Sequence, residues 1–140
     1  MTLITLETPA YVLRTCNHDM TSRGGFVWSE NGYVEAPDWI EDANPGHGLH
    51  GALWGEGNGA LFSLAKDARW LVVEINHYID LGGKVKFRCG KVVFCGDQLG
   101  ATEDIKNRGG RGAVIGSTVT VGDYGVDSSL FFPSNHLIKM

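Results

Sequence analysis

Nothing in this sequence approaches the ~18 consecutive apolar residues that span a bilayer. The start, Met1-Thr2-Leu3-Ile4-Thr5-Leu6-Glu7, has neither the basic charge nor the length of a secretory leader. Cysteine is scarce and odd in number: Cys16, Cys89 and Cys95. A disulfide framework is therefore not expected, and a reduced, cytoplasmic chain with no membrane contact is. Positive charge is in deficit, 12 Lys and Arg against 16 Asp and Glu for a net charge of −4. Phosphate attraction needs a basic surface, so general nucleic-acid binding is not expected either. Also missing are the Gly-x-Ser-x-Gly nucleophile elbow, the lysine and hydroxyl of a phosphate loop, and a dinucleotide fingerprint. The pairs His47-x-x-His50, Cys16-x-His18 and Cys89-x5-Cys95 match no strong zinc spacing. Neither a metal nor a cofactor is expected.

What the chain has in excess is glycine, 20 of 140 residues, twice the usual ~7 %. Six of these glycines crowd residues 45–59, Pro-Gly-His-Gly-Leu-His-Gly-Ala-Leu-Trp-Gly-Glu-Gly-Asn-Gly. Glycine belongs where the backbone takes positive φ or where something approaches it closely. The stretch reads either as one wall of a pocket carrying His47, His50, Trp54 and Glu56, or as a tight turn whose Leu49, Leu53 and Trp54 plug the core.

Along the chain, residues 10–16 read as a first strand. Residues 26–28 form a short bulky one, and Asn31-Gly32 leads into a returning hairpin arm at Tyr33-Val34-Glu35. Leu61, Leu64, Ala65 and Ala68 recur at helical spacing over residues 60–68. Residues 70–75, Trp-Leu-Val-Val-Glu-Ile, are the most apolar run and so a central strand buried on both faces, with Glu74 inside it. Strict alternation over 84–88 puts Lys84, Lys86 and Arg88 on one face. Cys89-Gly90 then reads as the turn of a hairpin with 91–95. Asp97 or Thr102 caps a second short helix ending near Asn107, with Ile105 as its apolar contact. The expected architecture is α+β, mainly β: short antiparallel strands with two short helices in a single compact domain, 1–140. Its apolar tail, 126–140, is expected to dock or to drive homo-oligomerisation.

Charge is distributed unevenly. Residues 1–60 carry two arginines against eight acids, and 84–111 carry seven Lys and Arg against three acids. The basic stretch is either a solvated face or a place for a small anion. Arginines can grip phosphate by paired hydrogen bonds and tryptophans can stack on a base. The candidate ligand-binding set is therefore Arg23, Trp28, His47, His50, Trp54, Arg88 and Arg111, with no catalytic residue.

Several segments, taken together, resemble an uncharacterised family carried by phages and prophages. They are Thr21-Ser22-Arg23-Gly24-Gly25-Phe26-Val27-Trp28, Pro37-Asp38-Trp39, Gly48-Leu49-His50-Gly51-Ala52-Leu53-Trp54-Gly55-Glu56-Gly57, Trp70-Leu71-Val72-Val73-Glu74 and Asp80-Leu81-Gly82-Gly83-Lys84-Val85-Lys86-Phe87. The resemblance covers residues 10–125. Relatives often continue into Gly-Asp-x-Gly repeats, of which Gly122-Asp123-Tyr124-Gly125 resembles one unit. A looser similarity is to the ADP-ribosyltransferase-like architecture. There a basic residue on the first strand, a Gly-aromatic segment with a short helix, and a glutamate on a later strand surround a nicotinamide dinucleotide. Arg14, residues 48–68 and Glu74 follow that order.

The phage setting implies an accessory counter-defence protein, in the infected host's cytoplasm, that sequesters a nucleotide-like signal without catalysis. Two alternatives stand beside it. One is an anti-CRISPR-like, protein-binding inhibitor of a host defence complex. The other is an NAD-using transferase with Arg14 and Glu74 as its catalytic residues.

Overall fold

The computed structural model describes residues 2–110 together with Val114 and Ile115. The expected tail at 126–140 lies outside the described residues. Two long strands form the frame: β1 (Leu3–Cys16) and β4 (Arg69–Asp80). They run antiparallel from Leu3 opposite Ile79 to Cys16 opposite Arg69. Their ladder is irregular between Thr5 and Ala10, where Pro9 has no N–H to donate.

The other edge of β4 carries two short strands, β5 (Val85–Phe87) and β6 (Cys89–Gly96). Both oppose β4 in a common register: Lys86 faces Ile79, and Lys91 faces Glu74. Residues 84–95 therefore do not fold back on themselves as the hairpin expected from Cys89-Gly90. A Cβ at Gly90 would lie 2.8 Å from the Glu74 carbonyl oxygen, so this glycine allows close approach to β4 instead of making a turn. Between β5 and β6, the Arg88 N–H donates to His77 Nε2 (2.8 Å) and its carbonyl accepts from the Ala36 N–H (2.8 Å).

The free edge of β5 pairs with β3 (Leu49–Leu53), and β3 pairs back onto β1 through Val12–Leu53 and Leu13–Ala52. Since β1 also pairs with β4, the strands β1-β3-β5-β4 close into a ring, and β6 and then β2 (Gly32–Glu35) extend the sheet beyond β4. The arm at 33–35 thus pairs with β6. Residues 26–28 make only an isolated bridge, Thr21 to Val27.

Alternation along β1 and β4 creates two cores. Ala10, Val12 and Cys16 meet Leu71, Val73 and Ile75 on one face. On the other, Leu13, Trp70 and Val72 pack with Ala101 and Ile105 of an α-helix, α1 (Gln98–Asn107). Of the two expected caps, Asp97 is the one used: its carboxylate accepts the Gly100 N–H at 2.8 Å and satisfies an otherwise orphaned donor, while Thr102 lies inside the helix. The helical spacing at 60–68 is not realised. Residues Gly59–Leu61 form a single 3-10 turn, Leu61 and Phe62 enter the core, and Leu64 stays 39% exposed. The Ser63 N–H donates to Thr15 Oγ1 at 2.9 Å, which holds the segment extended against β1. The architecture is a single compact domain, mainly antiparallel β, with one helix and two lone 3-10 turns among the described residues.

Candidate functional site

Strand β1 brings an arginine to a position where its neighbours are apolar. Arg14 shares a face with Val12 and Cys16 and is only 5% exposed. Its Nε and Nη2 donate to the Thr15 carbonyl (3.1 and 2.8 Å), and its Nη1 donates to the His50 carbonyl (3.0 Å). The guanidinium lies over the Trp28 ring, 4.1 Å from its centre. Trp28 is itself buried, with its indole N–H donating to Ser22 Oγ at 2.9 Å. Phe26 meets it edge-on, with ring centres 5.2 Å apart.

The chain between Met20 and Trp28 is a looped arm. The Trp28 N–H donates to the Met20 carbonyl and the Ser22 N–H to the Phe26 carbonyl. Its tip is a 3-10 turn, Arg23–Gly25, with Gly24 and Gly25 at φ 77° and 83°. That left-handed backbone favours glycine and leaves Arg23 exposed at the rim.

The facing wall is the loop leading into β3. His50 is buried, and its Nε2 accepts the Gly46 N–H at 3.1 Å, pinning a turn in which His47 has φ 52°. Burial, then the charges of Lys84, Arg14, Lys86 and Arg23, push the imidazole pKa down to about 3, so the ring is neutral. Lys86 is fully buried; its Nζ donates to Asp42 Oδ1 (2.8 Å) and to the Asn44 carbonyl (3.1 Å). This pair ties the acidic loop to β5, with Trp39 beneath the ammonium at 5.4 Å.

Between arm and loop lies a cleft of about 610 Å³. Arg14, Trp28, Leu49 and His50 are its buried lining, and Arg23, Pro37, Asp38 and His47 its exposed rim. His47 Nδ1 stands 3.7 Å from Asp38. Among the described residues, no carboxylate lies within 4.0 Å of Arg14, Arg23 or Lys84. Burial lowers the Arg14 pKa to about 10. Burial, then Arg14 and Arg23, lowers that of Lys84 to about 8.

Four of the expected ligand residues thus share one cleft: Arg23, Trp28, His47 and His50. Trp54 lies elsewhere, in a T-shaped contact with Tyr11 at 5.6 Å. Arg88 lines a second hollow of about 530 Å³ with Trp39 and Glu35, 3.6 Å from the Glu35 carboxylate. Arg111 is outside the described residues. Arg14 and Glu74 are on opposite faces of the sheet, because Arg14 opposes Leu71 and Tyr11 opposes Glu74. Glu74 accepts the Tyr11 hydroxyl at 2.9 Å. Among the described residues, no three His, Cys, Asp or Glu side chains are placed to share a metal. The sequence reading missed Lys84, whose alternation with Lys86 was the available signal. Both are buried, not solvated, and the acidic loop covers Lys86 through Asp42 and Asn44.

The chain is 38% identical over 103 residues to an ice nucleation protein of Pseudomonas syringae, covering 71% of this chain and 9% of that protein. It is 34% identical over 103 residues to ice nucleation protein InaU of Pantoea ananas, covering 71% and 10%. To an ice nucleation protein of Xanthomonas campestris pv. translucens it is 37% identical over 97 residues, covering 66% and 6%. The chain therefore spans a tenth or less of the length of these curated relatives. No solved structure matches it.

These relatives are bacterial ice nucleation proteins, not phage counter-defence proteins, which overturns the expected sequestration of a nucleotide-like signal and its alternatives. The host-defence partner and the infected-cell setting fall with it. The likeness to these proteins also overturns the exclusion of a membrane and the cytoplasmic location, which rest on the lack of a long apolar run and of a disulfide framework. The sequestration model has a local difficulty as well: the Trp28 face meant for a base carries Arg14. What holds of the resemblance is the uncharacterised domain family. A family model matches residues 10–107, and the chain belongs to that family, described as a domain of unknown function (DUF7666).

Proposed function

We propose that this chain is a non-catalytic accessory domain of the kind carried by ice nucleation proteins, where it binds and organises while the remainder of the relative templates ice. The observation that carries this reading is 38% identity over 103 residues to a protein of which the match is 9%. Ordering water into an ice embryo needs a regular surface far wider than a binding cleft. This domain instead presents a closed ring of strands with irregular glycine-rich loops. Its enclosed cations and anchored loop suit recognition of another group.

A domain exchange tests the reading. The matching segment of the Pseudomonas syringae protein is deleted, or replaced by this chain, and cells are assayed by droplet freezing. Deletion is expected to lower the freezing temperature and replacement to restore it. A replacement that freezes no better than the deletion, with equal protein amounts on a blot, overturns the proposal.

A further inference from the structure

Among the described residues no acid pairs with Arg14, a buried cation. A charge removed from water is ordinarily matched by an opposite charge, because desolvation costs several kcal/mol and hydrogen bonds to neutral groups offset only part of it. Here three guanidinium bonds go to backbone carbonyls and one face to Trp28. A guanidinium has five N–H donors, so two remain, and the residue lines an open cleft. Lys84 is a second buried cation with no carboxylate within 4.0 Å among the described residues. Arg23 stands at the rim, on a glycine turn whose neighbourhood is empty: nothing lies within 4 Å of a Cβ at Gly24 or Gly25. The remaining cation, Lys86, is already neutralised by Asp42.

We propose that the cleft between residues 22–28 and 37–50 binds a monovalent organic carboxylate, held by Arg14 and Arg23 with its carbon body against Phe26, Pro37 and Leu49. A planar carboxylate matches the guanidinium fork. One negative charge suits the cleft better than two, since Asp38 at the rim repels a dianion and the neutral His50 adds no charge. The apolar lining calls for an organic body and not a bare ion. The proposal goes beyond the role suggested above and does not rest on it.

The test is a nuclear magnetic resonance titration of the isotope-labelled full chain. Sodium acetate and sodium phenylacetate are compared with sodium phosphate and sodium chloride at equal ionic strength. The Arg14 Nε–H, the Trp28 indole N–H and the Gly24, Gly46 and Gly48 amides are expected to shift saturably with the carboxylates, and more tightly with phenylacetate than acetate. Arg23→Gln, at an exposed position, is expected to keep the rest of the spectrum and weaken binding about tenfold. Equal shifts with chloride, tighter binding of phosphate than of phenylacetate, or an unchanged affinity in Arg23→Gln would each overturn the proposal.

Discussion

The guanidinium of Arg14 rests 4.1 Å from the centre of the Trp28 ring, inside a protein core. This contact substitutes in part for the missing counter-ion, since the face of an indole is electronegative. Trp28→Ala removes the ring, the Ser22 bond and the contact together. We expect a loss of about 3–5 kcal/mol in urea unfolding, the range for large aromatic truncation, and a smaller loss for Trp28→Phe. A Trp28→Ala loss below about 1 kcal/mol would show that Arg14 does not depend on the ring.

Acid should weaken the fold before the carboxylates titrate. The His50 pKa is about 3 in the folded chain against 6.5 unperturbed. The unfolded chain thus takes up the proton first, and stability falls as pH drops through that window. The slope is about 1.4 kcal/mol per pH unit for one such group. His77 is also held low, by burial and then Arg88, and adds in the same direction. His50→Gln should therefore flatten the pH 6.5 to 4.5 limb without abolishing it, as measured by urea midpoints at half-unit intervals. An unchanged limb refutes the assignment.

Lys84 gives the opposite test. Burial lowers its pKa to about 8, so its charge is held at neutral pH against a desolvation cost. Native Lys84 loses its proton before the unfolded chain does, and stability should rise between pH 8 and 10.5. Lys84→Met should raise the melting temperature at pH 7, and the advantage should shrink toward pH 10.5. A constant difference across that range would sink the argument.

Gly57 stands at φ +137°, and a Cβ there would come within 2.4 Å of the Gly83 carbonyl. Backbone atoms on both sides cannot yield cheaply. Gly57→Ala should cost about 2 kcal/mol or more, whereas Gly46→Ala, at φ +90° with nothing within 4 Å, should cost about 1. Paired thermal melts compare them, and equal losses would mean that the clash relaxes.

The sequence made the strongest local signals visible. The apolar run became β4, and Asp97 capped the helix it was expected to cap. Misreadings arose where a distant partner decided the outcome. Cys89-Gly90 has turn chemistry, but β4 already supplied a neighbour on both sides of it, at 85–86 and again from Lys91 onward. Residues 60–68 have helical spacing, but Thr15 captures Ser63 and the core takes Phe62. The same holds for the cleft. The glycines and aromatics that line it were legible as segments. That His50 is a neutral pin and Lys84 an enclosed cation depends on what folds over them, which no local pattern encodes.

Closure of β1-β3-β5-β4 leaves β2 as the one described strand with a single neighbour, and β2 is only four residues long. Open strand edges invite neighbouring copies to zip together. Here each of the other described strands has a neighbour on both sides over at least part of its length. Such a sheet adds little risk of misregistered pairing with whatever flanks it, and its traffic with those flanks must then pass through side chains and loops.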